Sequence, residues 1–240
     1  MRLRSHLERP VNIVARKKIV FVIVEGPSDD EALGVLLSRI YDKDRVYVHI
    51  MRKDITAENG VTSSNIASRI GDEIRKYASS NHFTKKDFRE IIHLIDMDGA
   101  YAPDDCIIED PSATKVFYTP QEIRTANKAG IEDRNRRKRS NINRICTMKE
   151  AWAIPYRVFY MSCNLDHVLY DKQNSPDYDK ERDSYAFAKK YMDDIQGFIH
   201  YISDSEFSVT TTYSDSWEFI KQDKHSLERH TNLGVCFENV

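Results

Sequence analysis

Lys18–Glu25, KIVFVIVE, followed at once by Gly26-Pro27-Ser28-Asp29, is the stretch from which the fold can be read. Six consecutive apolar residues, most of them β-branched, are too short for a helix and too uniformly apolar for a half-exposed strand. They predict a central strand buried on both faces of a parallel sheet. Gly26-Pro27 ends it, Ser28 or Asp29 can cap the next element, and Leu33, Leu36, Leu37 and Ile40 recur at helical spacing. Further along, Val46–Met51 predicts a second strand, and Ile66, Ile70 and Ile74 mark a helix starting near Thr62 or Ser63. A polar connector runs from Ser79 to Asp87. Ile91–Ile95 predicts a third strand that runs straight into Asp96-Met97-Asp98-Gly99. The alternation βαβαβ implies parallel strands joined by right-handed crossovers, with ligands held at the strands' carboxyl ends.

The second half is less regular. Asp104–Pro111 reads as a loop, Lys115–Tyr118 as a short strand, Gln121 to about Trp152 as helical, and Tyr156–Ser162 as a further strand. Ala188, Tyr191, Ile195, Phe198 and Ile202 step by three and four and predict one amphipathic helix; Ser214–Ile220 predicts another. The expected organisation is an N-terminal arm over 1–17, a catalytic domain over 18–170, and a mainly helical extension over 171–240 packed on it.

At 240 residues, 40% apolar and 31% charged, the chain can bury one large core. The formal charge of −2 excludes a general polycation, so affinity for nucleic acid has to come from a local patch. No run of apolar residues reaches membrane-spanning length, and Met1–Lys18 lacks the apolar stretch of a secretory signal, so no membrane partner and a cytoplasmic location are expected. Cys106, Cys146, Cys163 and Cys236 show no paired spacing and are expected as separate, mostly buried thiols. His225 and His230, five apart, do not share a helical face as zinc ligands would.

The period of two in Asp96-x-Asp98 points both carboxylates to one side if extended geometry persists through the motif. Hard oxygen donors at this spacing suit Mg2+ or Mn2+, and Glu25, at the end of the first strand, is placed to complete the set if the two strands are neighbours. Asp29 has two roles open to it, a second ion or a helix cap. Taken singly, each motif is an ordinary turn or strand end. Together they crowd carboxylates whose repulsion a cation or a proton has to offset. The basic run Arg134-Asn135-Arg136-Arg137-Lys138-Arg139, with Arg144 beyond it, can track a phosphate backbone, or can be a solvated helix face or a contact for an acidic partner. Tyr101, Tyr118 and Tyr156 can stack on bases or belong to the core.

Val24-Glu25-Gly26-Pro27-Ser28-Asp29 and Leu94-Ile95-Asp96-Met97-Asp98-Gly99 resemble the E-G-x-x-D and D-x-D motifs of the Toprim family, over roughly Lys18–Tyr101. The resemblance implies an α/β, Toprim-like Rossmannoid parallel sheet flanked by helices. It makes Glu25 a general acid/base or metal ligand, and Asp96 and Asp98 holders of Mg2+. Ser162–Leu169 is similar to an acidic corner of Toprim nucleases of the overcoming-lysogenization-defect kind, which marks Asp166 as a second-metal candidate, although that family usually carries Glu there. Small standalone Toprim proteins resemble RNA-maturing nucleases and effector subunits of bacterial anti-phage systems. The implied function is therefore hydrolysis of DNA or RNA, with a separate ATPase chain as a further partner. Two alternatives stand beside it. Leu94–Gly99 also resembles the D-x-D-G start of haloacid-dehalogenase-like phosphatases, with Asp96 as nucleophile, although Ala100 replaces the usual threonine. The third is a Toprim-like module that binds a partner without catalysis.

Overall fold

The computed structural model describes residues 17–51 and 54–238; the arm expected over 1–17 lies, apart from Lys17, outside them. The apolar run forms β1 (Ile19–Val24), every residue of it buried. Gly26 precedes α1 (Pro27–Ile40), with Pro27 in the first turn, where its missing N–H costs no hydrogen bond. There follow β2 (Arg45–Ile50), α2 (Ile66–Ser80) and β3 (Phe88–Asp96). β4 (Ile107–Glu109), β5 (Phe117–Tyr118), β6 (Ile123–Thr125), α3 (Lys128–Ile145) and β7 (Glu150–Ala151) lead to β8 (Ile154–Met161). The chain then folds into α4 (Leu165–Tyr170), α5 (Asp177–Tyr191), α6 (Ile195–Asp204) and α7 (Tyr213–Ile220).

The main sheet runs β2-β1-β3-β8-β7. The first four strands are parallel, and β7 joins the edge antiparallel to β8, so the sheet is mixed rather than all parallel. This is a Rossmann-like α/β fold with helices on both faces. Alternation along the strands divides the core in two. Val20, Val22, Val24, Ile92, Leu94, Phe159 and Met161 pack on α1, α4, α5 and α6. Ile19, Phe21, Ile23, Ile91, Ile95, Val158 and Tyr160 pack against α2, α3 and α7. The segment beyond residue 170 thus contributes to both faces of the same sheet. His93, on the second face, is buried against the Tyr156 hydroxyl at 2.7 Å and held neutral by burial, its pKa pushed down to about 3. All four cysteines are free and buried.

Several sequence-based expectations are corrected by this architecture. Gln121–Trp152 is not helical throughout: β6 occupies 123–125, and the helix begins at Lys128, where Asn127 caps it by accepting from the Gly130 N–H at 2.9 Å. Asp104–Pro111 is not all loop, because β4 pairs with β6, and β5 completes a small second sheet. The amphipathic stretch from Ala188 to Ile202 is two helices, broken where Asp194 caps α6 through the Gly197 N–H at 2.9 Å. Tyr156 is only 2% exposed and has no face free to stack on a base.

Candidate active site

In the order β2-β1-β3-β8, the chain passes from β1 to β2 on one side and then crosses through α2 to β3 on the other, which makes the β1/β3 boundary the switch point where such sheets bind ligands. Glu25 follows the last residue of β1, and Asp96 is the last residue of β3. The Asp96 N–H donates to Glu25 Oε1 at 3.2 Å, so the two acidic ends are tied directly. Extended geometry stops at Asp96. Asp98 takes a left-handed backbone, φ 49°, and so does Cys163 beyond β8, also φ 49°. The two loops are joined by Met97 N–H to Met161 O and Asp98 N–H to Cys163 O, both 2.8 Å. Gly99, φ 65°, closes the turn where a Cβ would lie 2.3 Å from the Leu227 side chain, so any larger residue there would be strained and would have to displace Leu227.

Asp98 therefore reaches the pocket by a turn, not by strand periodicity, and there it meets Lys138. The Lys138 ammonium, with no exposed side-chain surface, donates to Asp98 Oδ2 at 2.5 Å and to Asp54 Oδ2 at 2.7 Å. Arg134 donates to Asp98 O at 2.8 Å and to the Tyr118 hydroxyl at 2.6 Å. Lys138 is thus no member of a solvated basic face. Neither Asp54 nor the inward role of Lys138 stands out in the sequence. Asp54 is shaped by Thr56, whose N–H and hydroxyl both donate to Asp54 Oδ1, at 2.8 and 2.5 Å. Asp54-x-Thr56, an Asx-turn pattern, is the one local signal that marks it.

The remaining basic residues divide. Arg137 lines a cavity of about 380 Å³ with Asp54, Ala57, Glu58 and Asn59, and its Nε has no hydrogen-bond partner among the described residues. Arg139 donates to Ala100 O at 3.3 Å and pairs with Asp104 at 3.5 Å. Arg136, paired with Asp133, and Arg144 are exposed on the outer side of α3. Tyr101 is engaged with Arg139 O and Asn143. A larger cavity, about 560 Å³, lies at the opposite end of the sheet among Met148, Tyr156 and Trp217, remote from the carboxylates.

Asp29 sits in the first turn of α1 and accepts from the Gly26 N–H at 2.9 Å, which settles its capping role. Its carboxylate also faces inward. Burial, with a contribution from the charge of Asp166, pushes its pKa up to about 6. Asp166, buried in α4, is itself raised by burial. Glu25 is raised well above the carboxylate range by burial and then by the charge of Asp54; Asp96 by burial and then by Glu25, Asp29 and Asp98. Burial works against ionisation of Asp54 too, but the Lys138 ammonium and the Thr56 hydrogen bonds bring it below its ordinary value. The pocket is a row of carboxylates with one cation set into one end.

All the donors in that row are oxygens, and the two most central, Glu25 and Asp96, are held towards their neutral forms by burial and mutual repulsion, which a hard divalent cation would relieve. The donor chemistry fits such an ion. Among the described residues, however, no three His, Cys, Asp or Glu side chains are already drawn together as a coordination sphere. Among the same residues no helix is long and apolar enough to cross a membrane. No protein-family model, curated protein or solved structure matches the chain.

Proposed function

We propose that the chain is a Mg2+-dependent nuclease of the Toprim type, hydrolysing phosphodiester bonds of DNA or RNA. What carries the reading is the meeting of Glu25 with Asp96 at the β1/β3 switch point, tied by the 3.2 Å hydrogen bond, with Asp29, Asp98 and Asp166 around them. Glu25 and Asp96 are the side chains that would hold Mg2+ (or Mn2+), and the ion would supply charge stabilisation to the phosphoryl oxygens. Glu25, whose ionised form the ion would favour, takes a proton from the attacking water, and a proton passes to the leaving oxygen as the P–O bond breaks, which leaves one strand end as a phosphate and the other as a hydroxyl. Arg137, at the edge of the pocket, holds a phosphate of the substrate. The motif resemblance alone adds an anti-phage effector role and a separate ATPase partner.

The test is cleavage of labelled single- and double-stranded DNA and structured RNA with Mg2+ or Mn2+. Glu25→Ala and Asp96→Ala are each expected to lower the rate by about 100-fold or more. Intact nucleic acid beside hydrolysed small phosphate esters, with Asp96 essential and Glu25 dispensable, would replace this reading by the phosphatase one. Inactivity on both, in the presence of an ATPase partner as well, would leave a binding module.

A further inference from the structure

The Lys138 ammonium occupies the place between two carboxylates that metal-dependent sites commonly give to an ion. Its side chain is wholly buried, it reaches Asp98 and Asp54 from a position on α3 that is 84 residues beyond Asp54, and the shell around it is built to hold it. Arg134, one turn earlier on α3, fixes the backbone of Asp98; Asn141, also buried, donates to Thr56 O at 2.8 Å and so anchors the turn that presents Asp54. A lysine tail packed this way cannot withdraw without leaving the two half-buried carboxylates without a partner for their charge, which is unfavourable. A divalent ion there would need the same oxygens and would meet the ammonium's charge at contact distance.

We infer that Lys138 is a fixed resident cation that takes the place of a metal ion at Asp54 and Asp98, so that exogenous divalent ions bind only on the Glu25–Asp96 side of the pocket. Asp98 then acts as a positioning residue, orienting Lys138 instead of ligating an ion. The inference deepens the proposed function and rests on it only in taking the pocket to be one that binds divalent cations.

The experiment counts Mn2+ ions bound per chain by calorimetry in wild type, Lys138→Met and Asp98→Asn, with folding checked by circular dichroism. Lys138→Met is expected to bind one more ion than wild type, and that ion to raise its melting temperature; an equal count overturns the inference. Lys138→Gln repeats the comparison should the methionine variant fail to fold. Asp98→Asn, which keeps an acceptor for the ammonium, is expected to bind as many ions as wild type, and a lost ion there overturns the inference from the other side. The wild-type count bears separately on the proposed function. No ion in wild type but one in Lys138→Met would sink the metal-dependent reading while leaving the role of Lys138 standing.

Discussion

Asp29 is both a helix cap and a member of the acidic row, and the two roles pull its carboxyl in opposite directions. The Gly26 N–H favours the charged form; burial and Asp166 favour the neutral one and prevail, at about 6. Because the folded-state pKa lies above the unfolded value near 3.8, the folded protein binds more protons than the unfolded chain between those values. Stability supplied by the protonated form is therefore present below about pH 4 and lost as pH rises through about 6. Asp29→Asn keeps an acceptor for the Gly26 N–H and removes the titration. In metal-free buffer it should be more stable than wild type at pH 7 by about 1–2 kcal/mol, with no advantage at pH 4, as read from urea unfolding at the two pH values. The motifs at this scale were legible in the sequence, because Glu25-Gly26 and Asp96-x-Asp98 are contiguous. The direction of Asp98 was not, since a left-handed turn breaks the period of two on which the reading depended.

α3 shows how an element can mislead when read as a string of charges. Its basic run looks uniform, but a helix turns about 100° per residue and sends neighbours to different surroundings. Arg134 and Lys138, four apart, point at the acidic pocket; Ile142 and Ile145 enter the core; Arg136 and Arg144 face solvent; Arg137 borders the cavity beside Asp54. If Arg137 holds a phosphate, Arg137→Ala should weaken nucleic-acid binding and flatten the plot of log K against log salt by about 0.9 for a duplex. Arg136→Ala and Arg144→Ala should leave that slope unchanged; equal losses from all three, in binding titrations at several salt concentrations, would return the run to the status of a diffuse basic face. Periodicity was equally double-edged in the chain after residue 176, where steps of three and four run unbroken from Ala188 to Ile202 across the gap that Asp194 makes between α5 and α6. The buried faces of the two helices share one apolar cluster, so the pattern persists although the helix does not.

At the scale of the whole molecule, the strands β1, β3 and β8 were legible from their apolar and β-branched residues, unbroken in β1 and interrupted only by His93 within Ile91–Ile95 and by Arg157 in β8, whereas the neighbouring of β1 and β3 stayed a condition that only the folded sheet meets. The partnership of Asp54 with Lys138 was not legible, because it exists only through long-range packing. The helices after residue 170 are structural partners of the sheet: Phe187, Tyr191, Phe198 and Ile202 pack on the α1 face, Trp217 and Ile220 on the other. A chain ending at residue 170 would expose these apolar surfaces on both sides. It should lack a cooperative thermal transition and bind a dye specific for apolar surface, whereas the full chain should show one transition and no dye binding.

The far end of β8 is itself held from late in the chain. Ser162 N–H donates to His230 O at 2.9 Å, Cys163 N–H to Ser226 O at 3.0 Å, and it is the Cys163 carbonyl that receives the Asp98 N–H. During synthesis the ribosome releases Glu25 and Asp98 long before it releases residues 226–230, so the early motifs exist on the nascent chain without the clamp that fixes their turn. Assembly of the acidic pocket is in this way tied to the synthesis of residues 226–230, and a product terminated before them carries the acidic motifs without the clamp on their turn.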